Sequence, residues 1–364
     1  MVCRVNRFRD EEVAKLDQVS SKRSMPSLHV GDVVEILSAE EILATLDENG
    51  EFENLPFMPE MLRYCGQRMT VHRSAHKLCD YISATGQRWM NNAVHLTGAR
   101  CSGQAHGGCQ TACSLYWKEA WLRRVTPNEI GRGGQSANSD ITKVDVSVLE
   151  RATHKEPDSD GNERFSCQAT EMLRAAPGRI RVWHLDQYVA DLKTGNVGLL
   201  ALARAIFFHL FNAYQGRSRR VLPRWLQVKE GMAWGFLKGL AVGRTPTAKI
   251  DLQVGEVVRI KSKDEIARTL DSKRLNRGLG FEEEMARSCG RTARVVRRVD
   301  RCIDDRTGRL LTMKNPCIVL EGVVCRGVYH DNCPREFVPF WREIWLERVD
   351  TDRKQTAECL KTRV

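Results

Sequence analysis

A long internal duplication constrains the fold of this chain more than any other feature of its sequence. When the sequence is shifted by 224 positions, two blocks of about a hundred residues fall into register. GDVVEILSAEEILATLD at 31–47 lies over GEVVRIKSKDEIARTLD at 255–271, and YWKEAWLRRV at 116–125 lies over FWREIWLERV at 340–349. A period this long predicts two copies of one domain rather than a solenoid of small repeats.

Each copy carries local signals for short strands with helical insertions. A β-branched run after a Gly-Asp turn predicts an opening strand at 33–36. Ser38 followed by Glu41 is the capping-box pattern of a helix N-terminus, and Gly66 predicts the end of a second short helix. Trp117 and Trp121 stand four residues apart, as do Trp341 and Trp345, and on a helix this spacing would place both rings on one face, covering the module and its glycine-rich loop at 102–108. We therefore predict an α+β protein in which two homologous small-barrel modules flank a helical middle region.

The repeat boundaries and the changes in composition predict six segments. These are an N-terminal extension (1–26), Cys/His module copy 1 (27–126), a polar linker (127–165), a helical middle region (166–249), Cys/His module copy 2 (250–350) and a charged tail (351–364).

The most apolar stretch of the middle region is Val197–Tyr214, which Arg204, His209 and Asn212 interrupt. These polar residues argue against a transmembrane segment and favour a buried helix, with an interfacial membrane helix as the alternative. The first ten residues carry three arginines and no apolar core, unlike a secretory signal. The 13 cysteines are odd in number and cluster with histidines. This pattern favours thiols and metal ligands over disulfides and predicts a cytoplasmic location.

The clustered cysteines and histidines have the spacing of zinc ligands in both copies. Zinc binds thiolates and imidazoles in a tetrahedron, and the glycines of SGQAHGG at 102–108 permit a tight ligand loop. The candidate ligands are Cys65, Cys101, His106 and Cys109 in copy 1, and Cys289, Cys325, His330 and Cys333 in copy 2. The alternative ligands are Cys79, Cys113 and Cys302. We expect up to two zinc ions per chain.

Two alternatives to closed zinc sites remain open. Cys79, Cys101, Cys109 and Cys113 could instead hold iron or an iron–sulfur cluster in copy 1. Three pairs of equivalent carboxylates could orient metal ligands, although a solvated or salt-bridged role is favoured for them. These pairs are Glu60 and Glu284, Asp80 and Asp304, and Glu119 and Glu343.

Positive charge is concentrated in the middle region. Residues 216–249 contain eight Lys or Arg against one Glu, while the whole chain has a net charge of +11. Tryptophans lie among these cations, a mixture found in nucleic-acid-binding surfaces, although solvated faces are the simpler explanation. The candidate anion-binding residues are Arg217, Arg219, Arg220 and Arg224.

The Gly-Asp opening and the strand order resemble those of SH3-like or KOW-type small barrels. The RC-G-H-GC and FWREIWLER motifs resemble those of an uncharacterised bacterial family with a duplicated Cys/His module, and this resemblance implies no activity. No motif assigns a reaction. The sequence favours a zinc-stabilised tandem-module binding or scaffold protein that contacts an anionic polymer, such as nucleic acid, or a protein partner. The alternative is a metalloenzyme with catalytic zinc or iron in copy 1, at a cleft with the middle region.

Overall fold

The computed structural model describes residues 25–83, 85–126, 128 and 146–349. Most of the predicted N-terminal extension, much of the polar linker and the charged tail lie outside these residues. The chain divides into two compact units. Unit 1 is Met1–Arg204 with Arg301–Leu311 and His330–Glu336, and unit 2 is Ala205–Asp300 with Thr312–Tyr329 and Phe337–Val364.

Unit 1 is built from short antiparallel strands. The strands are β1 (Val33–Ile36), β2 (Glu51–Phe52), β3 (Leu55–Pro56), β4 (Arg68–Ser74), β5 (Lys77–Asp80), β6 (Gly86–Trp89), β7 (Ala93–Leu96), β8 (Trp117–Lys118), β9 (Leu122–Arg124), β10 (His154–Lys155), β11 (Arg164–Phe165) and β12 (Gly178–Ile180). The largest sheet has the order β8-β7-β4-β1-β9, and a second has the order β12-β6-β5. β2 pairs with β3, and β10 pairs with β11.

Short helices connect these strands. They are α1 (Ala39–Leu43), α2 (Ser147–Ala152), α3 (Met172–Ala175) and α4 (Asp186–Lys193). The longer α5 (Leu199–Val221) begins in unit 1 and belongs to unit 2 from Ala205 onwards. A 3-10 helix spans Pro59–Tyr64, and a 3-10 turn spans Glu119–Trp121. The predicted capping box is confirmed, because Ser38 accepts from the backbone N–H of Glu41 while the Glu41 carboxylate accepts from the backbone N–H of Ser38.

The core of unit 1 forms around two tryptophans. Trp117 and Trp121 are fully buried, and the Phe57 ring lies edge-on to both. The helix predicted from their spacing is wrong, because Trp117 lies in β8 and Trp121 ends a 3-10 turn. The described end of the predicted linker also joins this core, since Leu149 of α2 is buried in it.

Unit 2 repeats much of this arrangement. Its elements are β13 (Val257–Ile260), α6 (Lys263–Ala267), β14 (Leu275–Asn276), β15 (Leu279–Gly280), β16 (Thr292–Ile303), β17 (Leu310–Leu320) and β18 (Leu346–Arg348), with the β16–β17 tip assigned to unit 1. The sheet order is β17-β16-β13-β18, and β14 pairs with β15.

The strand register follows the same offset as the sequence. Val34 pairs with Met69 and Arg124, and the equivalent Val258 pairs with Ala293 and Arg348. Both opening helices carry the same capping box. Helices and antiparallel strands are both present, as the α+β prediction requires.

Helix α5 differs from its prediction in burial. The apolar stretch forms a helix, but Leu200 is 89% exposed and Leu210 is 63% exposed. The prediction of a buried helix is therefore wrong for this face. Among the described residues, no helix combines the length and the apolar character needed to cross a bilayer.

Candidate metal centre

A glycine-rich loop between β7 and β8 positions two of the predicted ligands of copy 1. The backbone N–H of Cys101 donates to the carbonyl of Cys113 at 2.9 Å, which closes the base of the loop. Gly103 has a φ of +75°, and a Cβ at this position would lie 1.8 Å from the carbonyl oxygen of Cys109. Only glycine fits there, so this loop needs Gly103 to bring His106 back beside Cys101.

Three side chains converge inside this loop. The Cys101 thiol donates to Oε1 of Glu60 at 3.1 Å, and its Sγ lies 3.4 Å from Nε2 of His106. Nδ1 of His106 lies 3.6 Å from Oε1 of Glu60. Glu60 comes from the 3-10 helix Pro59–Tyr64, so the group joins two separate segments of copy 1. Its ligand atoms lie within 4.8 Å of one another and could hold a metal ion.

The environment of this group is buried and short of positive charge. His106 is 1% exposed and Glu60 is 7% exposed. Burial lowers the pKa of the His106 imidazole, although the Glu60 carboxylate partly opposes this effect. Burial also raises the pKa of the Cys101 thiol, and Glu60 adds to the increase. In the described part of the chain, Oε2 of Glu60 and Nδ1 of His106 have no hydrogen-bond partner. A buried carboxylate of this kind is costly without a cation.

The other two predicted ligands of copy 1 lie outside this group. Cys65 ends the 3-10 helix within the hydrophobic core, where burial raises the pKa of its thiol to about 11. Cys109 is buried with its Sγ 3.3 Å from Oγ1 of Thr111, and it packs against Phe165. The structure therefore brings Cys101 and His106 together and supplies Glu60 in place of a third sulfur.

The copy 2 loop repeats the backbone of the copy 1 loop. Cys325 donates its backbone N–H to Phe337 at 2.8 Å, the counterpart of the bond from Cys101 to Cys113. Asp331 and Asn332 adopt positive φ, as Gly107 and Gly108 do in copy 1.

The side chains of copy 2 are arranged differently. Glu284, the counterpart of Glu60, accepts from the backbone N–H of Tyr329 at 2.8 Å. Cys289 and Cys325 belong to unit 2, whereas His330 and Cys333 belong to unit 1. Within the described ranges, the only close group of three or more potential ligands is Glu60, Cys101 and His106.

Cys333 instead lies beside one of the alternative ligands. Its Sγ accepts from the backbone N–H of Cys79 at 3.3 Å. Hydrogen bonding from the Cys79 thiol, assisted by the positive charge of Arg335, lowers the pKa of Cys333 to about 6. Of the remaining alternatives, Cys113 has a thiol pKa raised to about 12 by burial, and Cys302 packs beside Cys109. The four cysteines considered for an iron–sulfur cluster do not form a close group among the described residues.

The other two pairs of equivalent carboxylates form hydrogen bonds and ion pairs within the fold. Glu119 accepts from the backbone N–H groups of Ser27 and Leu28, and Glu343 accepts from those of residues 250–252. Asp80 pairs with Arg88 at 2.7 Å. Asp304 accepts from the hydroxyl of Thr307 within its own turn.

The sequence favoured a solvated or salt-bridged role for Glu60, and the solvated role is wrong because the carboxylate is buried beside Cys101 and His106. The signal that could have found it is the single acidic residue in the otherwise apolar stretch FMPEML at 57–62.

The candidate anion-binding residues lie on and after α5. Arg217, Arg219 and Arg220 are exposed. Arg224 begins a 3-10 turn, and its side chain lies outside the described part of the structure.

Neither a protein-family model nor a curated protein nor a solved structure matches this chain. The fold and the site define a duplicated α+β protein with a buried Glu-Cys-His group in its first copy.

Proposed function

We propose that this protein is a zinc-stabilised tandem-module binding protein whose ion is held by Glu60, Cys101 and His106 in copy 1. The observation that carries this proposal is the buried convergence of one carboxylate, one thiol and one imidazole. A divalent cation would compensate the buried charge of Glu60 and would displace the thiol proton of Cys101.

The donor set and the spacing support zinc. Bond lengths of about 2.3 Å to sulfur and about 2.1 Å to nitrogen or oxygen place neighbouring ligands about 3.5 Å apart in a tetrahedron. Sγ of Cys101 lies 3.1 Å from Oε1 of Glu60 and 3.4 Å from Nε2 of His106, and one ligand atom from each of the three residues lies within 4.8 Å of the others. Mixed sulfur, nitrogen and oxygen ligation suits zinc, whereas magnesium and calcium prefer oxygen alone.

The modules themselves are proposed to be SH3-like small barrels, in keeping with the resemblance of the sequence. The support is that β1 pairs with both β4 and β9, while β13 pairs in the same register with both β16 and β18. In so small a barrel, a metal ion adds stability that a thin core does not supply.

The proposed partner is anionic. Arg217, Arg219 and Arg220 are exposed near the end of α5, and the segment 216–249 carries seven net positive charges. Binding through these residues should weaken steeply as salt is added, and the triple charge reversal to Glu should abolish it. Binding that survives this reversal would contradict an anionic partner.

The metal proposal is tested by elemental analysis of protein purified without added metal. We expect about one zinc per chain, lost in Cys101→Ser and in Glu60→Gln. The matched controls are the equivalent copy 2 changes, Cys325→Ser and Glu284→Gln, which should keep the zinc. Absence of metal in the unaltered protein, or equal loss in both copies, would refute the assignment.

The second candidate function is a metalloenzyme, and the three-ligand set is what favours it. Catalytic zinc sites typically combine three protein ligands with an exchangeable water, whereas structural sites have four protein ligands. Cobalt substitution distinguishes the two functions. A cobalt spectrum that shifts on addition of azide indicates an exchangeable position and supports the enzyme. A spectrum that azide leaves unchanged supports the binding module.

A further inference from the structure

The outer face of helix α5 is apolar in unit 2. Phe207, Leu210, Tyr214 and Val221 are 54%, 63%, 49% and 74% exposed. They are spaced by three, four and seven residues, so they lie on one side of the helix. Trp225, which follows the helix, is 81% exposed. We refer to these five residues as the α5 stripe. A surface helix ordinarily turns its polar side to water, so this stripe is the reverse of the usual arrangement.

The helix is held mainly by its opposite side, although the Phe207 ring of the stripe also lies 6.2 Å from that of Trp234. The opposite side of α5 carries Phe208, whose ring lies 5.5 Å from that of Trp234 and 5.1 Å from that of Tyr329. On this inner side, the buried Gln215 also donates to the carbonyls of Val228 and Met232. The helix is therefore anchored through its inner face, while the stripe stays exposed.

The charges on helix α5 itself share one sign. Helix α5 contains four arginines and no acidic residue. Arg217 is three residues after Tyr214 and four before Val221, so it lies on the stripe itself. Cations in a last helical turn also offset the helix dipole. The helix dipole therefore accounts for Arg219 and Arg220 in the last turn. It acts only on charges, so it gives no reason for the exposed apolar side chains.

We propose that the α5 stripe binds an anionic phospholipid surface. This inference rests on the proposed function, because it identifies the anionic partner of that function as a lipid surface. The bilayer interface accepts Leu, Phe and Trp beside Arg, with the helix lying in the plane of the membrane. A nucleic acid would supply the same negative charge, but aliphatic Leu210 and Val221 cannot stack on bases. The helix, about 34 Å long at 1.5 Å per residue, then lies along the bilayer instead of crossing it.

The test is sedimentation of the full chain with vesicles of phosphatidylcholine, with or without phosphatidylserine. Binding should require phosphatidylserine. Leu210→Asp should lower the partition coefficient at least about tenfold, and Arg217→Gln with Arg220→Gln should lower it roughly thirtyfold. The matched control is Val254→Asp, because Val254 is 64% exposed and lies off the helix. This variant should bind like the unaltered protein.

Three outcomes would overturn the inference. The first is no binding to anionic vesicles, and the second is equal binding by the Leu210→Asp variant. The third is a dimer that Leu210→Asp dissociates, which would make a second copy the occupant of the stripe. Salt-sensitive binding to single-stranded RNA without vesicle binding would reject the lipid surface while leaving the proposed anionic partner intact. If the protein binds neither vesicles nor RNA, the anionic partner is rejected as well. The zinc content is a separate test of the metal site.

Discussion

A buried charge cluster in unit 1 gives the sharpest test of the packing. Lys77 of β5 and Asp191 of α4 form an ion pair in which both side chains are fully buried. Nε2 of His76, also fully buried, lies 3.2 Å from Oδ1 of the same carboxylate. Burial lowers the pKa of His76 even though Asp191 opposes this. A neutral imidazole and one ion pair are therefore enclosed together.

Asp191→Ala should destabilise unit 1 severely because it leaves the Lys77 ammonium buried without its counter-ion. Breaking a buried pair in this way costs about 3–5 kcal/mol. For a unit of this size, each kcal/mol lowers the melting temperature by about 2–4 °C, so the loss should be roughly 6–20 °C. The measurement is thermal and urea unfolding of the full chain, followed by circular dichroism.

Two variants make this prediction refutable. Lys77→Met with Asp191→Leu should recover most of the lost stability, because replacing both charges by apolar groups is often nearly neutral. Arg123→Ala removes a surface pair with Glu35, in which Arg123 is 47% exposed, and should cost less than about 1 kcal/mol. If Asp191→Ala costs no more than this surface control, the enclosed pair described here does not exist in solution.

Three further changes test other parts of the molecule. Burial lowers the pKa of His95 to about 4 from 6.5, so the unfolded chain binds more protons between these values. Stability should therefore fall by roughly 3 kcal/mol as the pH drops from 6.5 to 4, and a urea titration of His95→Gln should show a flatter profile. Gly103→Ala should abolish zinc binding, because its Cβ would clash with the Cys109 carbonyl. Gly108→Ala adds similar backbone strain at a φ of +68° but meets no atom within 4 Å, so it should keep the ion in elemental analysis. Glu343→Ala removes the acceptor of three backbone N–H groups and should cost about 2–3 kcal/mol in urea unfolding, a result that a change below 0.5 kcal/mol would contradict.

The features that the sequence predicts well are those set by neighbouring residues. The capping box needs only Ser38 and Glu41, and the left-handed turn at Gly66 needs only the absence of a Cβ. The same signals recur in copy 2 at Ser262 and Gly290. Such features depend on a few consecutive residues, so they can be predicted in both copies without knowledge of the rest of the fold.

The features that the sequence predicts poorly are those set by distant packing. The apolar composition of α5 correctly indicates a helix, yet it does not show which face other elements cover. Phe208 is buried and its neighbour Phe207 is half exposed, although the two residues are chemically identical. Trp117 and Trp121 likewise have a helical spacing but are separated by a strand end and a 3-10 turn.

The two ligand loops show the same limit within a single molecule. Their backbones match at Gly103 and Gly327, which both adopt positive φ, and the loop-closing hydrogen bonds are equivalent. The chemistry nevertheless differs, because Glu60 meets the Cys101 thiol while Glu284 accepts from a backbone N–H. Repeated spacing of cysteine and histidine therefore duplicates the loop without duplicating the ligand set. Among the described residues, only in copy 1 does a carboxylate from outside the loop join the cysteine and the histidine. For this reason we expect one zinc per chain rather than two.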